Sequence, residues 1–247
     1  MKPFVIDINC DVGEGVGNES DLFPYISSCN IACGGHAGDE ATMRSITALA
    51  QQHQVKIGAH PSYPDKPNFG REVMDISNEA LSASIKNQLA TFDGILEEIN
   101  GKLHHIKAHG ALYNETAKNE ALAQNYLNAI SEYRTRAIVY VPYGSVIASL
   151  AKAQGFELWF EGFADRNYNP DLSLVSRKSD KALIHRPEEV LNHVLPMICE
   201  NRVLTISDQL VPIEVQTLCV HGDTSSALEI LMYLSTELPN HQVKIHQ

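Results

Sequence analysis

The sequence predicts an α/β fold in which parallel strands and helices alternate to form a β/α barrel. Strand-like segments alternate with helical segments along 247 residues, and seven units of about 35 residues each match the size of a repeated βα unit. The hydrophobic fraction of 44% is sufficient for one domain, residues 1–247, because β/α barrels often have this length. Ionisable residues gather at the carboxyl ends of the strand-like segments, where β/α barrels carry their active sites.

Apolar runs and helical periodicity define the expected elements. The predicted strands span residues 4–12, 28–33, 55–60, 103–110, 137–142, 157–165 and 216–223. The predicted helices span residues 39–53, 78–99, 120–133, 145–154, 187–201 and 225–237. Two architectures fit this alternation, a barrel of seven or eight strands and an open doubly wound sheet. The positions of the polar residues favour the barrel.

Several helices carry start signals. Asp39 and Ser77 are suited to cap the unpaired amide groups of a first helical turn. Pro187 suits the first position of a helix. Ser226 and Glu229 have the spacing of a capping box. These residues support the helix boundaries given above.

The first predicted strand carries three polar residues on one face. Side chains alternate across a strand, so Asp7, Asn9 and Asp11 point in the same direction. A parallel strand covered by helices is apolar on both faces, so these buried polar groups require partners or water. An edge strand with one solvated face is the alternative explanation for this strand alone.

The other predicted strands end in the same kind of residue. The residues at or just beyond these ends are His36, Asp39, His60, Lys107, His109, Glu161, Asp165, Arg166, His221 and Asp223. A solvated edge explains one strand but not seven, whereas the carboxyl ends of barrel strands converge on one site. We therefore expect these side chains to surround a shared cavity.

Loops rich in glycine, proline or polar residues follow the strands. Residues 11–18 (DVGEGVGN) form either a tight turn or an anion-binding loop that places Glu14 beside the site, and no P-loop motif occurs. Residues 58–72 contain three prolines, so this stiff segment should form a wall carrying Tyr63 and Arg71. Arg71 suits either a substrate carboxylate or a surface salt bridge. Residues 106–114 place Tyr113 near Lys107.

Composition restricts the classes of partner. The formal net charge is −11, from 19 basic and 30 acidic residues, so nucleic acid and anionic membranes are poor partners. Asp7 interrupts the first apolar run, and no segment has the roughly 18 apolar residues that a membrane span needs. Five cysteines without a CxxC pair predict buried, reduced thiols in a cytoplasmic protein. A nucleophilic cysteine or a zinc site is the alternative.

A divalent metal is a further possibility that the sequence leaves open. Asp11, His36, His60, His109 and His221 have suitable ligand atoms. A mononuclear hydrolase would use two or three of them with an activated water, and Asp11, His36 and His60 are the first candidates. However, no HxH or HExxH spacing defines a site.

Seven segments together resemble one family. DINCDVGEG, NIACGGHAGD, IGAHPSYPD, NFGR, HGALYN, FADR and CVHGD are similar to the signature blocks of the LamB/YcsF family, occur in the family's order and extend over nearly the full chain. The chain departs from the family at Gly35, Ser62 and Ala108, where the family usually has Phe, Gly and Pro. These positions adjoin candidate site residues, so we expect a different pocket shape.

The resemblance implies a fold, an activity and partners. It implies a seven-stranded TIM-like barrel of the glycoside hydrolase/deacetylase type and the ATP-dependent opening of 5-oxoproline to glutamate. It also implies two partners, 5-oxoprolinase subunits B and C, with ATP bound by this chain or by a partner. Asp11 and His60 fit the metal site of the wider superfamily's deacetylases only in part, because their paired-histidine loop is absent here. The implied metal is therefore not carried over.

Lactam hydrolysis requires a base, an acid, an oxyanion stabiliser and a carboxylate clamp. The candidate catalytic residues are Asp11, His60, Lys107 and His109, with Asp11 or His60 as base and Lys107 as oxyanion stabiliser or acid. The candidate substrate-binding residues are Asn9, Glu14, His36, Asp39, Tyr63, Arg71, Tyr113, Glu161, Asp165, Arg166, His221 and Asp223, with Arg71 or Arg166 on the substrate carboxylate. The alternatives are a stand-alone metal-dependent amidase or deacetylase and a protein that binds the substrate without catalysing its reaction. Homo-oligomerisation is compatible with the sequence.

Overall fold

Seven parallel strands close into a barrel in the computed structural model, which describes residues 3–246. In chain order the strands are β1 (Phe4–Val12), β2 (Ser28–Ala32), β3 (Lys56–His60), β4 (Leu103–Lys107), β5 (Ile138–Pro142), β6 (Leu158–Phe163), β7 (Arg202–Leu204), β8 (Leu210–Pro212), β9 (Thr217–His221) and β10 (Val243–Ile245). Strands β1 to β6 pair in parallel with their neighbours, β6 pairs with β9, and β9 pairs with β1. The closed seven-stranded barrel is confirmed, and the open sheet is wrong.

Helices surround the barrel. They are α1 (Glu19–Leu22), α2 (Glu40–His53), α3 (Asn78–Glu98), α4 (Gly110–Thr116), α5 (Glu120–Ala129), α6 (Val146–Ala153), α7 (Pro187–Glu200) and α8 (Ala227–Asn240). Their buried apolar faces pack against outward-facing strand residues such as Ile8 and Ile31, and this layer forms the main hydrophobic core. Within residues 3–246, no helix has the length and apolar character that crossing a membrane requires.

The elements that the sequence analysis missed are short. They are α1, α4, β7, β8 and β10, which contain three to seven residues each and therefore too few letters for a periodic pattern. The predicted strand 103–110 was too long, because Gly110 adopts a φ of 57° and begins α4. That early turn leaves His109 in the connection between β4 and α4.

Most of the helix start signals are confirmed. Asp39 accepts a hydrogen bond from the amide of Thr42 at 2.8 Å, and Ser77 caps α3 in the same way. Pro187 is the first residue of α7. The capping box at Ser226 is wrong, because its backbone (φ −99°, ψ 9°) is not extended and its side chain makes no cap hydrogen bond.

The interior of the barrel is polar, and its polar groups have partners. Asp7 accepts hydrogen bonds from Ser28 (2.6 Å) and Thr217 (2.7 Å) and pairs with Lys56 (3.1 Å). Strand β1 has partners along both edges, so the edge-strand explanation of its polar face is wrong. Asp7 instead lies in the lowest polar layer, which supports the layers above it.

A glycine makes room for one of these polar layers. A Cβ atom on Gly58 would overlap the imidazole ring of His105. That ring stacks on Tyr140 with centroids 3.9 Å apart and lies 2.7 Å from the side-chain oxygen of Asn30. The small residue in β3 is therefore needed to seat a buried histidine under the site.

Candidate active site

A cavity of about 820 Å³ opens at the carboxyl ends of the barrel strands. Its lining includes Asp11, Glu14, His60, Arg71, Lys107, His109, Tyr113, Glu161, Arg166 and His221. These residues come from the ends of five barrel strands, from the loops that follow them and, for Tyr113, from α4. The structure thus brings most of the expected residues to one mouth of the barrel, which is the position of active sites in β/α barrels.

Lys107 lies at the centre of the cavity floor. Its Nζ is 2.9 Å from Asp11 Oδ1 and 2.8 Å from Glu161 Oε1, and it also contacts Cys219 Sγ at 3.2 Å. Burial alone would lower the pKa of Lys107, but the negative charges of Asp11 and Glu161 hold it well above its usual range. The ammonium therefore stays charged, which suits an oxyanion stabiliser and not a proton donor.

Asp11 is an ionised carboxylate held from several sides. Its Oδ1 accepts hydrogen bonds from Asn30 (2.8 Å) and Lys107, and its Oδ2 lies 3.5 Å from His60 Nε2. Burial would raise the pKa of Asp11, but Lys107 and His60 hold it well below its usual range. Such a carboxylate is a weak base, so its main effect is to fix and balance Lys107.

Two polar atoms in the cavity wall make no well-formed hydrogen bond. Glu161 Oε1 pairs with the ammonium of Lys107 and accepts a hydrogen bond from the side-chain amide of Asn9 (3.0 Å). Glu161 Oε2, in contrast, makes no hydrogen bond within residues 3–246. The buried hydroxyl of Tyr113 likewise makes no well-formed hydrogen bond there, although burial, together with the charge and the hydrogen-bonding proximity of Glu161, raises the pKa of Tyr113 well above its usual range. Because unpaired buried polar groups are costly, both atoms are candidates for ligand contacts.

His221 and Asp165 form an oriented pair. Asp165 is fully buried and lies 2.8 Å from His221 Nδ1, while it also accepts from the His221 backbone amide and from Thr224. Burial would raise the pKa of Asp165, but His221 keeps it below its ordinary value. The carboxylate places the proton on Nδ1, so His221 can present Nε2 to the cavity as an acceptor.

A second group, the histidine cluster, consists of Glu14, His36, His60 and His109. Glu14 Oε1 lies 2.8 Å from His36 Nε2 and 3.3 Å from His109 Nδ1. His36 stacks on His109 with ring centroids 3.6 Å apart. His60 Nε2 lies 3.0 Å from His109 Nδ1. Nitrogen and oxygen atoms of these four residues therefore converge beside the cavity floor.

The two candidate arginines differ in their partners. Arg71 forms an ion pair with Asp223 at 2.6 Å and lies over the ring of Phe69. The guanidinium of Arg166 is buried and donates to the backbone oxygens of Val175 (2.7 Å) and Ala182 (3.3 Å). No carboxylate in residues 3–246 forms an ion pair with it.

No ion pair therefore neutralises Arg166 in residues 3–246, although the charge of the nearby Asp165 partly offsets its own. Burial and the charge of Arg177 lower the pKa of Arg166 to about 10, so the guanidinium is still cationic at neutral pH. The guanidinium retains N–H groups that the two carbonyls do not use.

Two expected site residues lie elsewhere. The carboxylate of Asp39 is exposed and occupied as the cap of α2, so it does not reach the cavity. Tyr63 is buried in the hydrophobic core, because the proline-rich loop turns its ring inward. Asn9, His36 and Asp165 lie behind the lining residues, and Asp223 lies at the rim with Arg71.

The cysteines are reduced and mostly buried. Cys10, Cys29, Cys33 and Cys219 are buried, and Cys199 is half-buried. Burial raises the pKa of each of the four buried thiols, to about 12 for Cys33. Thiols of this kind are not nucleophiles at neutral pH, so the prediction of buried structural thiols is confirmed for these four and not for Cys199.

Sequence reasoning missed Asn30 and the backbone of Phe69. Asn30 bridges Asn9, Asp11 and His105. Its signal was the same as that of the first strand, a polar letter inside an apolar run. The oxygen of Phe69 accepts from His109 Nε2 at 2.9 Å, and no side-chain letter could have indicated a backbone contact.

Comparison with known proteins shows the family to which this chain belongs. The sequence model described as the LamB/YcsF family matches residues 6–247. The chain belongs to the LamB/YcsF family. Among relatives of this LamB/YcsF protein, the 5-oxoprolinase A-subunit of Shouchella clausii is 42% identical over 97% of both chains. The protein of that name from Pyrococcus furiosus is 38% identical over 97% of this chain and 96% of its own.

A solved structure extends the comparison to the fold. The lactam utilization protein from Thermus thermophilus superposes on this LamB/YcsF protein with a TM-score of 0.90 and 30% identity over 99% of both chains. The barrel and its surrounding helices are therefore shared across essentially the whole length.

Gly35 and Ser62, two of the three positions at which the sequence analysis expects a departure from the family pattern, are neighbours in space. A Cβ atom on Gly35 would overlap Ser62 Oγ and lie 2.6 Å from Gln88 Oε1. Gln88 also accepts from the Ser62 amide (3.0 Å) and donates to the Ser62 carbonyl (2.9 Å). The serine and glutamine therefore fill the space beside Gly35, under the cavity. Ala108 lines the cavity itself.

Proposed function

We propose that this LamB/YcsF protein is the A-subunit of an ATP-dependent 5-oxoprolinase and opens the lactam ring of 5-oxo-L-proline to give L-glutamate. Relatives that share most of the chain carry the name of the 5-oxoprolinase A-subunit, and a structure with the same fold is called a lactam utilization protein. The proposal includes ATP, bound by this chain or by a partner, and partner subunits B and C.

Glu161 Oε2 and the Tyr113 hydroxyl beside Lys107, which make no well-formed hydrogen bond, are the observation that carries the proposal. A lactam offers one N–H donor and one carbonyl acceptor on adjacent ring atoms. Glu161 Oε2 accepts from the ring N–H, while the Lys107 ammonium and the Tyr113 hydroxyl face the carbonyl oxygen. One substrate group therefore satisfies two buried polar atoms that otherwise make no well-formed hydrogen bond.

The substrate carboxylate is assigned to Arg166. Arg71 is already neutralised by Asp223 at 2.6 Å, whereas Arg166 lines the cavity without an acidic partner in the described chain. An arginine without an ion-pair partner gains most from binding a carboxylate, and its planar donors match the two oxygens.

The chemistry follows from the stability of the lactam. Transfer of the γ-phosphoryl group of ATP to the carbonyl oxygen makes the ring carbon electrophilic. Water then adds to that carbon and loses a proton, the C–N bond breaks, and the ring nitrogen takes up a proton. The product is γ-glutamyl phosphate, and hydrolysis of this acyl phosphate gives glutamate and inorganic phosphate.

His221 is the best-placed group for the proton transfers. Asp165 fixes its Nδ1–H, so Nε2 can accept the proton of the attacking water and return it to the ring nitrogen. His60 is less suitable, because its Nδ1 lies 2.8 Å from the Lys107 carbonyl and its Nε2 faces His109. Once the carbonyl oxygen is phosphorylated, Lys107 stabilises the negative charge of the phosphoryl group and of the oxygen that water contributes.

The test is glutamate formation by the three-subunit enzyme, and by the single chain, with and without ATP. Tyr113→Phe should lower kcat/KM about 10-fold and Glu161→Gln about 100-fold or more, because one hydrogen bond and one charge-assisted bond are lost. Glu132→Gln, on an exposed acid, is the matched control. Near-normal turnover by both site variants, in protein shown to be folded, would contradict the proposal.

A further inference from the structure

Hydrogen bonds to backbone carbonyls fix the protons of two adjacent histidines. His60 Nδ1 lies 2.8 Å from the carbonyl oxygen of Lys107, and His109 Nε2 lies 2.9 Å from the carbonyl oxygen of Phe69. A carbonyl oxygen only accepts hydrogen bonds, so each of these nitrogens carries the hydrogen. In the neutral tautomers, His60 Nε2 and His109 Nδ1 are then bare acceptors.

These two bare nitrogens face each other. The distance between His60 Nε2 and His109 Nδ1 is 3.0 Å, and both rings are buried. Two lone pairs at this distance repel each other unless a positively charged species lies between them.

Carboxylates surround the same point. Glu14 Oε1 lies 3.3 Å from His109 Nδ1 and 2.8 Å from His36 Nε2. Asp11 Oδ2 lies 3.5 Å from His60 Nε2. Nε2 is therefore the nitrogen of His36 that faces Glu14. The other nitrogen of His36, the buried Nδ1, has no hydrogen-bond partner in residues 3–246. The four ligand atoms of Glu14, His36, His60 and His109 all lie within 4.8 Å of one another.

We propose that Glu14, His36, His60 and His109 bind one divalent transition-metal ion, for which Zn²⁺ is the best match. Imidazole nitrogens with one carboxylate oxygen are a donor set that Zn²⁺ favours. Ligand bonds of about 2.0–2.2 Å place tetrahedral donor atoms about 3.4 Å apart, close to the 3.0 and 3.3 Å found here.

The atoms around the ligands also match a metal site. A histidine that binds a metal through one nitrogen usually donates the other N–H to a carbonyl or a carboxylate. The carbonyls of Lys107 and Phe69 do this for His60 and His109. This inference is independent of the proposed lactam chemistry, because it concerns binding to the free protein.

A shared proton is the competing explanation. One of the two rings would then be an imidazolium that donates to the other, with Asp11 and Glu14 as counter-ions. Such a cluster repels a divalent cation and binds it only weakly. Metal binding measured on the purified full chain, without substrate or partner proteins, separates the two explanations.

The experiment titrates chelator-treated protein with Zn²⁺ by calorimetry and with Co²⁺ by visible absorption. We expect one ion per chain and the intense d–d bands of four-coordinate cobalt. His60→Ala and His109→Ala should each weaken binding about 100-fold or more and remove these bands, and Glu14→Gln should weaken it by about 10-fold or more. His241→Ala, which removes an exposed histidine, should bind like the wild type.

Measurements on the wild-type chain still test the proposal if a variant does not fold. Saturating Zn²⁺ should raise the melting temperature of the wild-type chain, because an ion that binds only the folded state stabilises it. Wild-type protein that takes up no stoichiometric ion, or cobalt bands that persist in folded His60→Ala and His109→Ala, would overturn the proposal.

Discussion

Lys107 and Glu161 meet at 2.8 Å across the barrel interior through only one of the two carboxylate oxygens. The same ammonium also pairs with Asp11 at 2.9 Å. One buried cation thus serves two buried acids, and the second oxygen of Glu161 is left facing the cavity. Replacing this cation should affect stability as well as activity.

Lys107→Met should lower the free energy of unfolding by about 3–5 kcal/mol, because two buried carboxylates lose their counter-ion. Adding Glu161→Gln and Asp11→Asn should restore most of the loss, since no uncompensated charge then remains. Urea denaturation at pH 7 measures both effects. An unchanged midpoint for Lys107→Met would show that the ammonium does not neutralise these acids.

Asp165→Asn should reduce kcat about 100-fold or more with little change in KM. The amide cannot hold His221 with its proton on Nδ1, so the ring loses the orientation that proton transfer needs. The pH profile of kcat should also change, which a purely structural role would not cause. Asp180→Asn, on an exposed acid, is the control. A parallel loss of folded protein would instead assign Asp165 to stability.

His193 should make the protein less stable in mild acid. Burial lowers the pKa of His193 to about 4, whereas the unfolded chain has the ordinary value of about 6.5. Between these values the unfolded state binds more protons, so stability falls as the pH drops from about 6.5 to 4, by up to about 3 kcal/mol. His193→Gln should reduce this pH dependence.

Comparing urea midpoints at several pH values isolates the effect of His193 from any constant loss of packing. His104 is a second histidine of this kind, although it is only half-buried, and burial together with Lys56 lowers its pKa to about 4. His104→Gln should therefore act in the same direction. Parallel curves for wild type and His193→Gln would contradict the assignment.

The Gly35 and Ser62 pair predicts a coupled effect. Gly35→Ala should destabilise the fold by about 1–3 kcal/mol, because the new methyl group meets Ser62 Oγ and Gln88 Oε1 in a filled space. Ser62→Gly removes one of these obstacles. In a double-mutant cycle, adding Ser62→Gly to Gly35→Ala should restore about 1 kcal/mol of the free energy of unfolding. Additive effects would mean that the two positions do not interact.

The sequence was sufficient for the barrel and for the main layer of the site. Alternation of polar and apolar letters in β1 correctly placed Asp7, Asn9 and Asp11 inside the barrel, because strand side chains alternate regardless of context. The ends of the strands likewise placed Lys107 and Glu161 in one cavity, since parallel strands deliver their carboxyl ends to one mouth.

The loops were less predictable, because the sequence of a loop does not determine in which direction its side chains point. Asp39 suited both a helix cap and a ligand contact. In the structure its carboxylate accepts a hydrogen bond from the backbone amide of Thr42 and caps the helix. Tyr63 faces the core because of how the proline-rich loop turns. The contact between His60 and His109 depends on two backbone carbonyls. Every residue has a backbone carbonyl, so the sequence does not indicate which of them will make such a contact.

The two arginines give the sharpest test of substrate orientation. Arg166→Gln should raise KM for 5-oxoproline about 100-fold, since a charge-assisted, two-point contact with the carboxylate is worth several kcal/mol. Arg71→Gln should change KM much less, because this guanidinium is already paired with Asp223. A lactam without the carboxylate, 2-pyrrolidinone, serves as the internal control. Wild-type and Arg166→Gln enzymes should have equal KM values for 2-pyrrolidinone. A larger rise in the KM for 5-oxoproline in Arg71→Gln than in Arg166→Gln would place the substrate carboxylate at Arg71.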